Sequence, residues 1–144
     1  MKLSAAALAW SLAGCAGLAQ AWAQAPVTTE RAAASVERGR ALLLQRQDTG
    51  CVLCHQIPGL PAGGALGPSL HGLAERSTLS QARLHIADAR RFNPQTIMPA
   101  YLSTEGLHNV AVGLQGQTVL TPQALEDILS YLFQPTVRTP VIAP

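Results

Sequence analysis

Apolar positions recur at helical spacing in three stretches of the chain and lose their rhythm between them. Between residues 30 and 46 an Ala-, Leu- and Arg-rich segment without proline places Val36, Leu43 and Leu44 on one helical face, which predicts a first helix. Thr78 with Gln81 has the form of a capping box and opens a second helix running to about residues 89 to 91, stopped by Asn93-Pro94. The third is the clearest. Thr121 suits an N-cap, Pro122 suits the first helical position, and Leu125, Ile128, Leu129 and Leu132 follow at i, i+3, i+4 and i+7, to about Phe133. Between the first two helices, Pro58, Gly59, Pro61, Gly63, Gly64, Gly67, Pro68 and Gly72 forbid a regular element and describe a wrapping loop. Residues 109–112 and 117–120 could be short extended pieces around Gly113 and Gly116. The outline is small and all-α, with no internal repeat, which argues against sandwiches, barrels and α/β folds.

The N-terminal residues follow another logic. Met1-Lys2 is a short positive start, and the uncharged Ala- and Leu-rich run from Leu3 to Leu18 is short for a membrane span but suits a secretory signal. Ala21-Trp22-Ala23 offers small residues where a signal peptidase needs them, so residues 1–23 read as a signal peptide, with the mature chain starting at Gln24. A second reading takes Leu12-Ala13-Gly14-Cys15 as a lipoprotein processing site with a lipid anchor at Cys15, and a third a retained anchor helix. The chain then divides into a mobile tail at 24–30, a domain at 31–134 and a mobile tail at 135–144 with Pro135, Pro140 and Pro144. All readings of the start share export, which places the domain in the periplasm.

Charge narrows the function classes. Ten Lys+Arg against eight Asp+Glu give +2, and with scattered arginines and a single lysine at position 2 there is no basic run to line up phosphates. Loss of residues 1–23 would leave two cysteines and four large aromatics, Phe92, Tyr101, Tyr131 and Phe133. That is a thin core for an exported domain of this size. An apolar cofactor would fill it.

The two remaining cysteines stand in Cys51-Val52-Leu53-Cys54-His55, the C-x-x-C-H signature of covalent c-type haem attachment. Two thiols at i and i+3 lie on one side of a helical turn, where each can form a thioether with a vinyl group, while the next imidazole is aimed at the iron. A zinc site would need a distant fourth ligand from His71, His85 or His108. A thioredoxin-like pair would need a βαβ surrounding that the pattern lacks, and an incidental core pair has no use for His55. For the sixth position on the iron, Met98 is the only methionine besides Met1 and sits in a segment braced by Pro94 and Pro99. A lone Met is often core filling, and His71, His85 and His108 are rivals. His85 reads as a helix-surface residue beside Arg83, the other two as loop residues.

From about 31 to 134 these residues resemble the class I cytochromes c. Gly67-Pro68-Ser69-Leu70-His71-Gly72 is similar to that family's Gly-Pro-x-Leu-x-Gly loop, and the resemblance implies that the Pro68 carbonyl accepts the proximal imidazole N–H and orients His55. It also implies a close helix crossing in which Gly39 meets Tyr131. A narrower likeness spans about 48 to 133: Asn93-Pro94-Gln95-Thr96-Ile97-Met98-Pro99-Ala100-Tyr101, Gly106-Leu107, Leu120-Thr121-Pro122-Gln123 and Glu126 to Leu132 resemble the SoxX family, small subunits of the sulfur-oxidising SoxAX complex. That resemblance implies one covalent haem c held by Cys51 and Cys54, with His55 and Met98 as axial ligands. It further implies a heterodimer with a SoxA-like cytochrome that conjugates thiosulfate to a carrier-protein cysteine, and a non-catalytic role here, passing electrons to a downstream cytochrome. Tyr101, Leu102 and residues 103–118, which a minimal cytochrome c does not need, are then either the partner contact or no more than a shield over the haem. The competing functions are a free periplasmic carrier for another dehydrogenase or oxidase, a haem-based ligand sensor, and a haem-free thiol oxidoreductase.

Overall fold

The computed structural model describes residues 25–61 and 63–135, so residues 1–23, read as a signal peptide, with Cys15 among them, and residues 136–144 lie outside the described residues. Five α-helices follow in order: α1 (Ala25–Leu44), α2 (Cys51–Cys54), α3 (Leu73–Arg76), α4 (Leu79–Ala87) and α5 (Pro122–Leu132). Single 3₁₀ turns stand at Ala89–Arg91 and Val112–Leu114. No strand occurs among the described residues. Residues 109–112 and 117–120 are therefore not extended pairs; the segment is instead a chain of turns, with Leu114 N–H bonded to Ala111 O at 2.8 Å and Gln117 N–H to Leu114 O at 3.1 Å.

Helix α1 begins earlier than the apolar pattern suggests, so residues 25–30 are helical where a tail is expected. Pro26, at the second helical position, is compatible with that start because the first turn has no use for its missing N–H. The inward stripe of α1 is Ser35, Val36, Gly39, Leu42 and Leu43, at i, i+1, i+4, i+7 and i+8, and Leu43 is fully buried. This stripe packs on α5, whose Leu125, Ile128, Leu129 and Leu132 form the other half of the core.

Gly39 makes the crossing possible. A Cβ at position 39 would stand 1.9 Å from the carbonyl oxygen of Asp127 and 3.0 Å from Ile128 N, so the two helices meet first through α5 backbone. Tyr131, one turn on along α5, donates its hydroxyl to Pro58 O at 2.8 Å and pins the start of the wrapping loop. Beside Gly39 the buried Asp127 accepts from Ser35 Oγ at 2.6 Å, Arg38 Nε and Nη2 at 2.8 and 2.9 Å, and Gln123 Nε2 at 3.1 Å. These bonds, first among them the Arg38 guanidinium, hold its carboxyl below the usual range against the burial that would raise it.

Both caps read from the sequence are formed. Thr78 Oγ1 accepts from Gln81 N at 3.2 Å while Gln81 Oε1 accepts from Thr78 N at 2.8 Å. Thr121 Oγ1 accepts from Ala124 N at 3.1 Å, with Pro122 at the first helical position. Arg83 of α4 pairs with Glu126 of α5 at 2.6 and 2.7 Å; as a solvent-facing pair it orients α4 more than it stabilises it.

Candidate functional site

The short helix α2 starts at Gly50, whose left-handed φ of 67° turns the chain sharply out of the preceding bend. That bend is anchored by the buried Thr49, which donates from Oγ1 to Leu42 O at 2.7 Å and accepts at its own carbonyl from Tyr101 Oη at 2.7 Å. Tyr101 is itself buried, and burial raises its phenol above the ordinary range, so it stays a neutral donor. It is thus a core strut between the Met98 segment and the start of α2, and not the surface contact expected from its position next to the 103–118 insertion.

The glycine-rich loop wraps α2 by main-chain bonding. Gly64 N–H bonds to Val52 O at 3.0 Å and Gly67 N–H to Cys54 O at 2.8 Å, which satisfies carbonyls that the one-turn helix leaves open, and Leu70 N–H bonds to Gln56 O just beyond it at 2.8 Å. Such contact needs missing side chains: a Cβ on Gly63 would stand 2.1 Å from His55 O, and one on Gly64 1.8 Å from Leu53 O. Gly67 matters most, since a Cβ there would lie 2.4 Å from Cε1 and 2.7 Å from Nδ1 of His55. With glycine in place the imidazole lies flat on the loop, and its Nδ1 is 2.7 Å from Pro68 O. A carbonyl can only accept, so Nδ1 carries the proton and Nε2 is the free lone pair. Arg76, at the end of α3, donates to the carbonyls of Ser69 and His71 and ties down the far side of the same loop.

These elements enclose a cavity of about 530 Å³. Its walls are mostly apolar, with Leu43, Leu70, Ile86, Tyr101, Ile128 and Leu132 contributed by every part of the fold. Cys51, Cys54, His55, Pro68 and Met98, the residues singled out from the sequence, all line it. Met98 is half-buried and comes from a turn in which Thr96 N–H bonds to Asn93 O at 3.0 Å and Met98 N–H to Thr96 Oγ1 at 3.2 Å. The cysteines are not joined to each other, and burial raises the Cys51 thiol. A redox-active C-x-x-C pair needs the opposite, a lowered thiol. Zinc finds no support either, because no three His, Cys, Asp or Glu side chains converge among the described residues.

An apolar cavity of this size, with two thiols on one helical turn, an imidazole whose Nε2 is free and a thioether in the same walls, fits a haem c. Neither a family model nor a curated protein matches the sequence. Among solved structures, the crystal structure of SoxXA from P. pantotrophus is similar, with a TM-score of 0.58 and 29% identity over 67% of this chain and 78% of that chain. The fold is that of a small class I cytochrome c, and the chain is SoxX-like.

In this SoxX-like chain the rival histidines separate. His71 and His108 do not line the cavity, whereas His85 does. Its helix turns Ala82, His85 and Ile86, with Ala89 beyond, toward the cavity at i, i+3, i+4 and i+7, while Arg83 leaves on another face to meet Glu126. His85 is thus exposed on the helix surface, as its place beside Arg83 suggests, and it also borders the cavity. The apolar pattern of α4 is too weak to reveal that face; Ala82 is its only fully buried residue. Among the described residues no helix is long and apolar enough to cross a membrane.

Proposed function

We propose that this chain is the electron-carrying monohaem subunit of a SoxAX-type complex, exported to the periplasm. It accepts electrons released when a SoxA-like partner joins thiosulfate to a carrier-protein cysteine, and passes them to a downstream cytochrome. The observation that carries the reading is the convergence of Cys51, Cys54, His55 and Met98 on one apolar cavity in a chain that is similar to SoxXA.

Haem c, when bound, supplies an iron that changes charge by one electron. The chain's part is to hold it. Cys51 and Cys54 would hold it through two thioethers, His55 Nε2 and Met98 Sδ would ligate its iron, and Pro68 fixes the imidazole tautomer that leaves Nε2 free. With two side chains serving the iron, the chain's part would be electron transfer, and the chemistry would fall to the partner. The insertion that follows Met98 supports a partner on this side: from Gly106 to Leu125 there is no Asp, Glu, Lys or Arg, and Leu107, Val112 and Leu114 are exposed, Val112 at 87%. An uncharged, apolar, solvent-facing segment of this kind marks a contact surface.

The test is expression with c-type cytochrome maturation. The expected product is red, keeps its haem through denaturing electrophoresis, co-purifies with a second c-type cytochrome from the native host, and is required for thiosulfate-dependent reduction. A colourless chain with two free thiols would end the haem reading. A haem-loaded monomer reduced equally by unrelated dehydrogenases would leave only a generic carrier.

A further inference from the structure

Four histidines are present, and two of them, His55 and His85, line the cavity. His55 is committed through Nδ1 to Pro68. His85 is placed differently. It stands on the cavity-facing stripe of α4, on the same cavity as Met98, with its ring stacked on Phe92 at a centroid separation of 4.0 Å and an interplanar angle of 15°. Among the described residues no hydrogen bond occupies either of its ring nitrogens. His85 and Phe92 are both exposed, so this stacked imidazole sits at the solvent-facing edge of the cavity with no protein group bonded to its nitrogens.

The segment that bears Met98 is the less constrained partner. Ile97 beside it is 75% exposed, and the turn is fastened by the short-range bonds at Asn93 and Thr96. Phe92, on which His85 rests, immediately precedes that turn, so a displacement of the Met98 segment and a change in the His85 stack are mechanically linked. Imidazole is a good ligand for iron in both common oxidation states, and a thioether favours the reduced metal.

We propose that His85 is a reserve axial ligand: when the Met98 sulfur is withdrawn, the His85 imidazole takes its place. The Sδ–iron bond is lost, a nitrogen–iron bond forms, and no electron is exchanged in the swap. This rests on the haem reading above. It assigns a ligating role to a residue that otherwise only stacks on Phe92, and it makes loss of Met98 a change of ligand field and potential in place of an open coordination site.

The experiment is electron paramagnetic resonance and near-infrared spectroscopy on haem-loaded, oxidised M98A and on M98A/H85A. Expected in M98A are loss of the methionine-to-iron charge-transfer band and a low-spin signal of the two-imidazole type. The double variant should lose that signal and become high-spin. A high-spin M98A, or a double variant that stays low-spin, would overturn the proposal, the second by pointing to His71 or His108. Should M98A fail to fold, the unchanged protein serves: Met98 is the only methionine besides Met1, so a mild oxidant that forms methionine sulfoxide attacks it selectively, and the same signatures are read with and without H85A. Haem retention on a denaturing gel separates the two levels: a haem-loaded chain with the wrong ligand signature fails only this proposal, and a colourless chain fails the haem reading itself.

Discussion

Around His55 the chain is fastened by main-chain bonds from Gly64 and Gly67 onto α2 and from Leu70 onto Gln56, and by glycines whose missing Cβ atoms let backbone and imidazole touch. Around Met98 it is fastened within a few residues by side-chain bonds and the Thr96 N–H to Asn93 O turn, and from farther along the chain by main-chain bonds from Tyr101 N–H to Ile86 O at 3.4 Å and Leu102 N–H to Ala87 O at 2.9 Å. The first wall is determined by backbone geometry and tolerates no added atom. The second is determined by packing and can shift by degrees. A site with one rigid and one yielding wall holds one ligand fixed and leaves the other open to tuning.

The contrast is sharpest in the response to a single methyl group. Gly67→Ala should act most directly on the ligand, because a Cβ 2.4 Å from His55 Cε1 forces ring or loop to move; overpacking of this kind costs about 3 kcal/mol. Expected are poor haem incorporation and a large fall in the urea midpoint. A Gly67→Ala protein that retains wild-type stability and haem would mean that the His55 wall is as yielding as the other.

A second test acts behind both walls equally. Asp127→Ala removes the acceptor of four hydrogen bonds at the α1–α5 crossing, at a cost of about 2 kcal/mol, since the half-exposed Arg38 can turn to water. The pH dependence has a definite sign. The Asp127 carboxyl is held low in the folded chain, chiefly by Arg38, so its contribution is fully present above the unfolded value of about 3.9 and is lost as pH falls through the lower folded value. Denaturation midpoints of the native protein should therefore fall more steeply below about pH 4 than those of Asp127→Asn, the unfolded value setting the upper edge of the window. Parallel profiles would remove Asp127 as the cause.

Tyr101→Phe probes the strut between the walls. It deletes the 2.7 Å bond to Thr49 O and leaves that carbonyl only the weak, 3.9 Å contact with Cys51 Sγ, for a loss of about 1.5 kcal/mol read as a lowered thermal midpoint. If Tyr101 joins the two walls, the Met98 charge-transfer band should also weaken. Thr78→Ala is expected to be the mildest: removing the capping-box hydroxyl costs about 1 kcal/mol and frays the start of α4 on the Met98 side, while hydrogen exchange in residues 51–70 stays as it was.

What could be read from the sequence was local. The caps at Thr78 and Thr121, the glycine-rich wrap and the C-x-x-C-H turn each depend on residues a few positions apart, and their chemistry is written in the residue types. What could not be read depends on distant parts of the chain. Gly39 signals a close approach but not its partner, and the backbone at Asp127 has no residue-type signature. Tyr101 looks like an accessible aromatic beside an insertion until Thr49, 52 positions away, is seen to accept its hydroxyl. His85 belongs to a helix whose apolar face is mostly alanine and isoleucine, so nothing in the pattern says which side meets the cavity. The early start of α1 was hidden because Ala25 to Glu30 has no apolar rhythm, and helix formation there needs none.

The crossing at Gly39 also sets the order in which the molecule can be assembled. Arg38 and Asp127, which clasp it, are 89 positions apart, and Cys51, the glycine-rich loop, His85 and Met98 all lie between them. The site is thus the interior of one large ring of chain, closed by its first and last described helices. Closing so long a ring is not prohibitive, since each doubling of length adds only about 0.6 kcal/mol of entropy. It does place closure late, because α5 must be available before Ile128 and Leu132 can supply their part of the cavity wall. Until then the ring is open, and the cysteine turn at its near end is reachable from solvent.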